Sequence, residues 1–191
     1  MSLTIAGHVG PWTIEDIEGL ADSGDHARYE LLTPGVLTVT PAPGTVHQRA
    51  SRRLANLLED AAAAVGAPYE VLEAVNVAIA GGRLTVPDIV VVDQRIAATD
   101  PARFPSSAVL LAVEIVSPST HPQDRIIKPQ IYAEAGVEFY WRLELESRPH
   151  LIASALTHGK FRQTVTALSD EKTLIEDPFP IALDPTHLTQ Q

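Results

Sequence analysis

At 191 residues and 45% apolar content the chain can bury one substantial core and is short for two, so one domain over 1–191 is expected, with its core at roughly 13–183. It has no Cys, which excludes disulfides and thiolate metal sites and leaves oxygen and imidazole as metal ligands. The net charge of −10 argues against strong indiscriminate binding of nucleic acid, although Arg49, Arg52 and Arg53 could form a local basic face.

Met1–Pro11 has neither the basic start nor the apolar centre of a signal peptide, and no run of about 18 apolar residues follows, so no membrane span and a cytoplasmic location are expected. Thr13 caps a short predicted helix with Ile14, Ile17, Leu20 and Ala21 on one side. Tyr29–Leu32, the turn Thr33-Pro34-Gly35 and the alternating Val36–Thr40 predict a hairpin, with Glu30 on a strand. Thr45 then caps the clearest helix, whose stripe is Val46, Ala50, Leu54, Leu57, Leu58, Ala61 and Val65. Its first turns carry His47, Gln48 and Arg49. For the arginines a solvated polar face is an equal alternative to substrate binding.

Alternation at Val71, Val75, Val77 and Ile79 predicts a strand that Gly81-Gly82 turns back into Leu84–Val92, a second hairpin. Asp93–Ser107 is expected to be a loop. Val109–Ser117 is a third strand, and Glu114 shares a face with Leu110, Ala112 and Val116. A helix is expected from near Pro129, with Lys128 at its entrance and Gly136 closing it. Phe139, Trp141, Leu143 and Leu145 alternate in another strand, and the remainder reads as edge strands and a tail.

Asp88 and Glu114 are acidic residues set singly in apolar, strand-like runs. A buried carboxylate needs a cation, a proton or several donors beside it, and two of them point to a metal. With no thiolate and no His-x-x-x-His pair, carboxylates are the better ligands, which favours a hard ion such as Mg²⁺, with Mn²⁺ as a substitute. The competing reading is a buried ion network with Lys128, although such networks stabilise poorly compared with apolar packing. Asp124 reads as a cap, and Tyr132, on the same helix face as Lys128, as packing or function equally. Ser117 and Ser119 lack a nucleophile elbow, which sets serine hydrolysis aside.

Pro87-Asp88, a strand bearing Glu114 and a downstream Lys resemble the PD-(D/E)XK nuclease superfamily. More closely, Val113 to Thr120, then Asp124, Lys128 and Tyr132, Ala135-Gly136-Val137 and Tyr140-Trp141 resemble the Uma-type family of restriction-endonuclease-like proteins. Upstream, Tyr29-Glu30-Leu31-Leu32, Pro41-Ala42-Pro43 and His47-Gln48-Arg49 fit the same family. The superfamily's Lys two places after the Glu is absent, since that position is Val116, and the resemblance implies that Lys128 replaces it from the following helix.

The resemblance implies an α/β (α+β) restriction-endonuclease-like fold, a mixed central sheet flanked by helices with additional hairpins. It also implies a metal-dependent DNA endonuclease in which Asp88, Glu114 and the backbone carbonyl of Ile115 hold the ion. Glu30 would be an outer ligand or a partner for Lys128, and His47, Gln48 and Arg49 would support the site or touch substrate. Cutting both strands of a duplex and apolar C-terminal edge strands suggest a homodimer. The alternative is a module that keeps the nuclease fold, binds or regulates, and cleaves nothing.

Overall fold

The computed structural model describes residues 7–21, 27–117 and 120–190; Met1–Ala6, the polar stretch Asp22–His26, Pro118-Ser119 and Gln191 lie outside them. In chain order the helices are α1 (Ile14–Ala21), α2 (Thr45–Ala64), α3 (Gln94–Ala97), α4 (Lys128–Glu134) and α5 (Pro185–Thr189). The strands are β1 (Arg28–Thr33), β2 (Val36–Thr40), β3 (Tyr69–Glu73), β4 (Val77–Ile79), β5 (Arg83–Thr85), β6 (Ile89–Asp93), β7 (Phe104–Pro105), β8 (Val109–Val116), β9 (Phe139–Glu144), β10 (His150–Thr157), β11 (Lys160–Ala167), β12 (Thr173–Ile175) and β13 (Ile181–Leu183).

A mixed six-stranded sheet, ordered β11-β10-β9-β8-β6-β3, forms the centre, and only its β8–β9 pairing is parallel. Leu111, Val113 and Ile115 of β8 face one side with Trp141 and Leu143 of β9, where Ala50, Leu54, Leu58 and Ala61 of α2 cover them. These spacings of three and four residues give α2 the apolar stripe that the sheet face requires. Ala112, Val90, Val92 and Tyr140 face the opposite side and pack on Ile131 and Tyr132 of α4 and on Val77 and Ile79 of a second sheet. That second sheet runs β2-β1-β5-β4-β7, and its own outer core joins Tyr29, Leu31 and Leu84 to Ile17 and Leu20 of α1. The architecture is therefore mixed α and β, with mixed sheets flanked by helices.

The first hairpin forms as expected: β1 and β2 pair antiparallel across Gly35, whose φ of 78° is the left-handed turn conformation that glycine accepts without strain. The second hairpin does not stay in one sheet. Its inner half pairs β4 with β5, and its outer half pairs β3 with β6 in the central sheet. Val86-Pro87-Asp88 is the crossing point on one arm, since Pro87 has no N–H to give a ladder. Ala74, at φ 53°, is the crossing point on the other, and its N–H bonds the Asp88 carbonyl at 3.2 Å. Asp88 thus sits at a bend just before β6 rather than inside a strand, as its apolar, strand-like run suggests.

Other local expectations change for identifiable reasons. Asp93–Ser107 carries α3, capped by the Asp93 side chain on the Arg95 N–H at 2.7 Å, and β7, which joins the second sheet beside β4. Thr13 caps α1, exchanging hydrogen bonds with Asp16, but α2 begins after Gly44 with no side-chain cap, so Thr45 lies inside the helix. Helical structure before α4 starts at His121 and passes through a π-helical turn at Gln123–Ile127. The wider turn accommodates Pro129, which lacks an N–H and whose ring would crowd the Arg125 carbonyl in a regular α-turn. Gly136, at φ 78°, ends α4.

Leu54 is fully buried between α2 and the central sheet. Leu54→Ala is expected to lower the unfolding free energy by about 2–5 kcal/mol, read from the denaturation midpoint at unchanged slope.

Candidate active site

The crossing between the sheets, the end of β8, the start of α2 and the turn before α4 enclose a cavity of about 150 Å³. Asp88, Glu114, Glu30, Asp124, Lys128 and Arg28 line it, together with His47 and Ile115. Antiparallel pairing of Ile89 with Val113 carries Asp88 beside Glu114, so the sheet register itself delivers the two carboxylates to one place.

Asp88 is held from three directions. The Ile115 N–H donates to Oδ2 at 2.6 Å, Arg28 Nη1 donates to Oδ1, and His47 Nε2 lies 3.3 Å from the same oxygen. Burial alone would raise its pKa. The His47 hydrogen bond, the Arg28 guanidinium and the Ile115 N–H outweigh burial and hold it at about 2.

Glu114 is 1% exposed. Its Oε2 accepts from Lys128 Nζ at 3.0 Å and its Oε1 from the Tyr132 hydroxyl at 2.9 Å. Lys128 Nζ is also 3.0 Å from Glu30 Oε1 and 3.5 Å from Asp124 Oδ1. Glu30 is fixed in turn by the Val86 N–H at 2.8 Å. Desolvation pushes the Glu114 pKa well up; Lys128 opposes this, but the charges of Asp124, Asp88 and Glu30 reinforce it. Desolvation works against the Lys128 ammonium, but Glu114, Glu30, Asp124 and Asp88 raise its pKa well above the ordinary value, so it stays charged.

Asp88, Glu114, Glu30 and Asp124 are four buried carboxylates facing two fixed cations, Arg28 and Lys128, which leaves two negative charges in excess when all are ionised and His47 is neutral. An all-oxygen, doubly negative donor set fits a hard divalent cation. Among the described residues no three His, Asp or Glu side chains are already grouped as a metal cage, because the carboxylates are turned to the protein's own cations.

Glu30, His47, Asp88, Glu114, Ile115 and Lys128 are therefore brought together. Gln48 and Arg49 are not. Gln48 is exposed and bonds the Pro43 carbonyl at 3.1 Å, and Arg49 bonds the Thr189 carbonyl at 3.1 Å. Arg53 likewise bonds the His187 and Gln190 carbonyls, so these two arginines fasten α5 to α2. The sequence reading misses Arg28 altogether, and it assigns Asp124 to a cap although that residue is buried beside Lys128. The available signals were the two-residue spacing of Arg28 and Glu30 on one strand and the four-residue spacing of Asp124 and Lys128.

Protonation gives a signed test. Asp88, with its depressed pKa, contributes stability that is complete above its unfolded value and is lost only as pH falls through about 2. Glu114, with a raised pKa, works in the other direction: stability is complete below its unfolded value and declines as pH rises toward the folded one. Glu114→Gln, measured without divalent ions, is accordingly expected to be more stable than wild type at pH 7. That gain should disappear as pH is lowered below the ordinary glutamate range; urea denaturation across pH reads both effects.

The Uma2 family, described as "Putative restriction endonuclease", matches residues 14–189. A crystal structure of a "putative nuclease belonging to DUF820" from Anabaena variabilis is similar in fold, with a TM-score of 0.66 at 16% identity over 94% of this chain and 98% of that one. No curated protein matches the chain. No helix among the described residues is long and apolar enough to cross a membrane. With the match extending over nearly the whole chain, the protein belongs to the Uma2 family.

Proposed function

We propose that the protein is a divalent-metal-dependent DNA endonuclease in which Asp88, Glu114 and the Ile115 carbonyl hold one ion, Mg²⁺ or in its place Mn²⁺. The observation that carries this reading is the convergence of four buried carboxylates on only two fixed cations at the end of β8, supported by membership of a family described as "Putative restriction endonuclease". When bound, such an ion lowers the pKa of a coordinated water and neutralises charge on the phosphate.

The protein's own groups divide the remaining work. The Ile115 N–H and Arg28 fix the Asp88 carboxylate, which keeps it ionised at neutral pH. Tyr132 and Lys128 fix the two oxygens of Glu114 from α4. The Lys128 ammonium supplies positive charge where the transferring phosphate becomes more negative, or orients the attacking water. His47, on Asp88 and at the start of α2, stands beside the cavity wall formed by Thr40–Gly44, where substrate would enter. Hydrolysis of both strands of a duplex goes with a homodimer carrying two such sites.

The second reading is a module that keeps the fold without cleaving. The complete internal pairing of Asp88 and Glu114 favours it, together with the −10 charge. Supercoiled, linear, branched and single-stranded DNA and RNA separate the two. The endonuclease reading expects Mg²⁺- or Mn²⁺-dependent internal cutting of DNA that falls on the order of 10²-fold or more in Asp88→Asn, Glu114→Gln and Lys128→Met. Unchanged cutting in Glu114→Gln would reject the site, and no cutting of any substrate would favour the silent module.

A further inference from the structure

Lys128 is buried at 4% exposure, and its ammonium has three carboxylate neighbours on three separate elements: Glu30 on β1, Glu114 on β8 and Asp124 on the π-helical turn. The separations of 3.0, 3.0 and 3.5 Å are those of ammonium–carboxylate ion pairs, with a hydrogen bond to Glu114, and lie well beyond the roughly 2.1 Å that Mg²⁺ demands. Of its three donors the ammonium gives one to Glu114, and it pairs by charge with Glu30 and Asp124. Asp124, 2% exposed, accepts no hydrogen bond at Oδ1, so its proximity to Lys128 is the only polar engagement of that buried oxygen among the described residues.

We infer that Glu30, Glu114 and Asp124 form a receptor for an alkylammonium group, filled by the tethered ammonium of Lys128, which occupies the place a second divalent ion would take. Glu114 belongs to both cation positions: Lys128 holds one oxygen and the Tyr132 hydroxyl the other, and each carboxylate oxygen has a further lone pair. Asp124 and Glu30 are then positioning residues for the lysine rather than ligands of the ion. The one-ion consequence rests on the proposed metal site; the receptor does not.

The receptor is tested without metal. Lys128→Ala removes the stem and the charge but leaves the three carboxylates, and in EDTA n-butylammonium should raise its Tm saturably. Tetramethylammonium at the same concentration, which carries the charge but no N–H, should not, and wild type should respond to neither. Adding Asp124→Asn to Lys128→Ala should weaken the n-butylammonium response by about tenfold or more in midpoint concentration, in line with loss of one of the three negative charges around the ammonium. If Lys128→Ala is unfolded alone, recovery of near-ultraviolet dichroism with n-butylammonium carries the same meaning. An equal response to both amines, or none to n-butylammonium, overturns the receptor. Equilibrium dialysis with Mn²⁺ tests the one-ion consequence: wild type should bind one ion, Asp88→Asn should lose it, and Asp124→Asn should keep it. Two ions on wild type would overturn the substitution of lysine for a second ion. No ion on wild type, alongside a selective amine response, would remove the metal reading and leave the receptor standing.

Discussion

The arrangement depends on one electrostatic constraint: a single lysine ammonium, taken out of water, is surrounded by three carboxylates, and a fourth carboxylate is pinned nearby by an arginine. Desolvating any of these groups alone costs several kcal/mol, so each is tolerable only while its partners stay in place. Because the partners come from β1, β8, the turn before α4 and the bend before β6, the charges bind together elements far apart in sequence. The network is poor as a stabiliser, because it still carries surplus negative charge. The divalent cation proposed above would neutralise that surplus.

The backbone supplies the convergence. A long hairpin leaves the central sheet and enters the second one at Ala74 and at Val86-Pro87-Asp88, so Asp88 falls at the seam where both sheets and the start of α2 meet. The amide after Glu114 is free to hold Asp88 because Asp88 stands at the end of the β6–β8 ladder. The π-helical turn has a comparable role: it carries Asp124 inward and delivers Lys128 as the first residue of α4, with Tyr132 one turn later on the same side. Outside the cavity, Arg125 and Arg142 both bond buried Glu144, tying that turn to the end of β9.

How far this could be read from the sequence follows from the kind of signal each part leaves. A continuous apolar run exposes β8, which is buried on both faces, alternation exposes the first hairpin, and a three- and four-residue stripe exposes α2. Asp88, Glu114 and Lys128 stand out because a charge within an apolar run requires a partner. The crossing between sheets leaves almost no trace: β5 and β6 are both short, and Leu84–Val92 reads as one strand, with Pro87 alone to suggest a break. Arg28 follows a polar stretch and resembles a surface residue until its strand partner Glu30 is known to point inward. Arg49 misleads in the opposite way, since its basic neighbourhood suggests phosphate while its guanidinium fastens α5. The helix before α4 is obscured by Pro129, which looks like a start when the widened turn upstream has already absorbed it.

The most direct measurement is a crystal structure with Mn²⁺ and data collected at the manganese absorption edge. A single anomalous peak bounded by Asp88, Glu114 and the Ile115 carbonyl, with Lys128 still among Glu30, Glu114 and Asp124, is the result expected. An anomalous peak in place of the Lys128 ammonium, or none near Asp88 at saturating Mn²⁺, would contradict it.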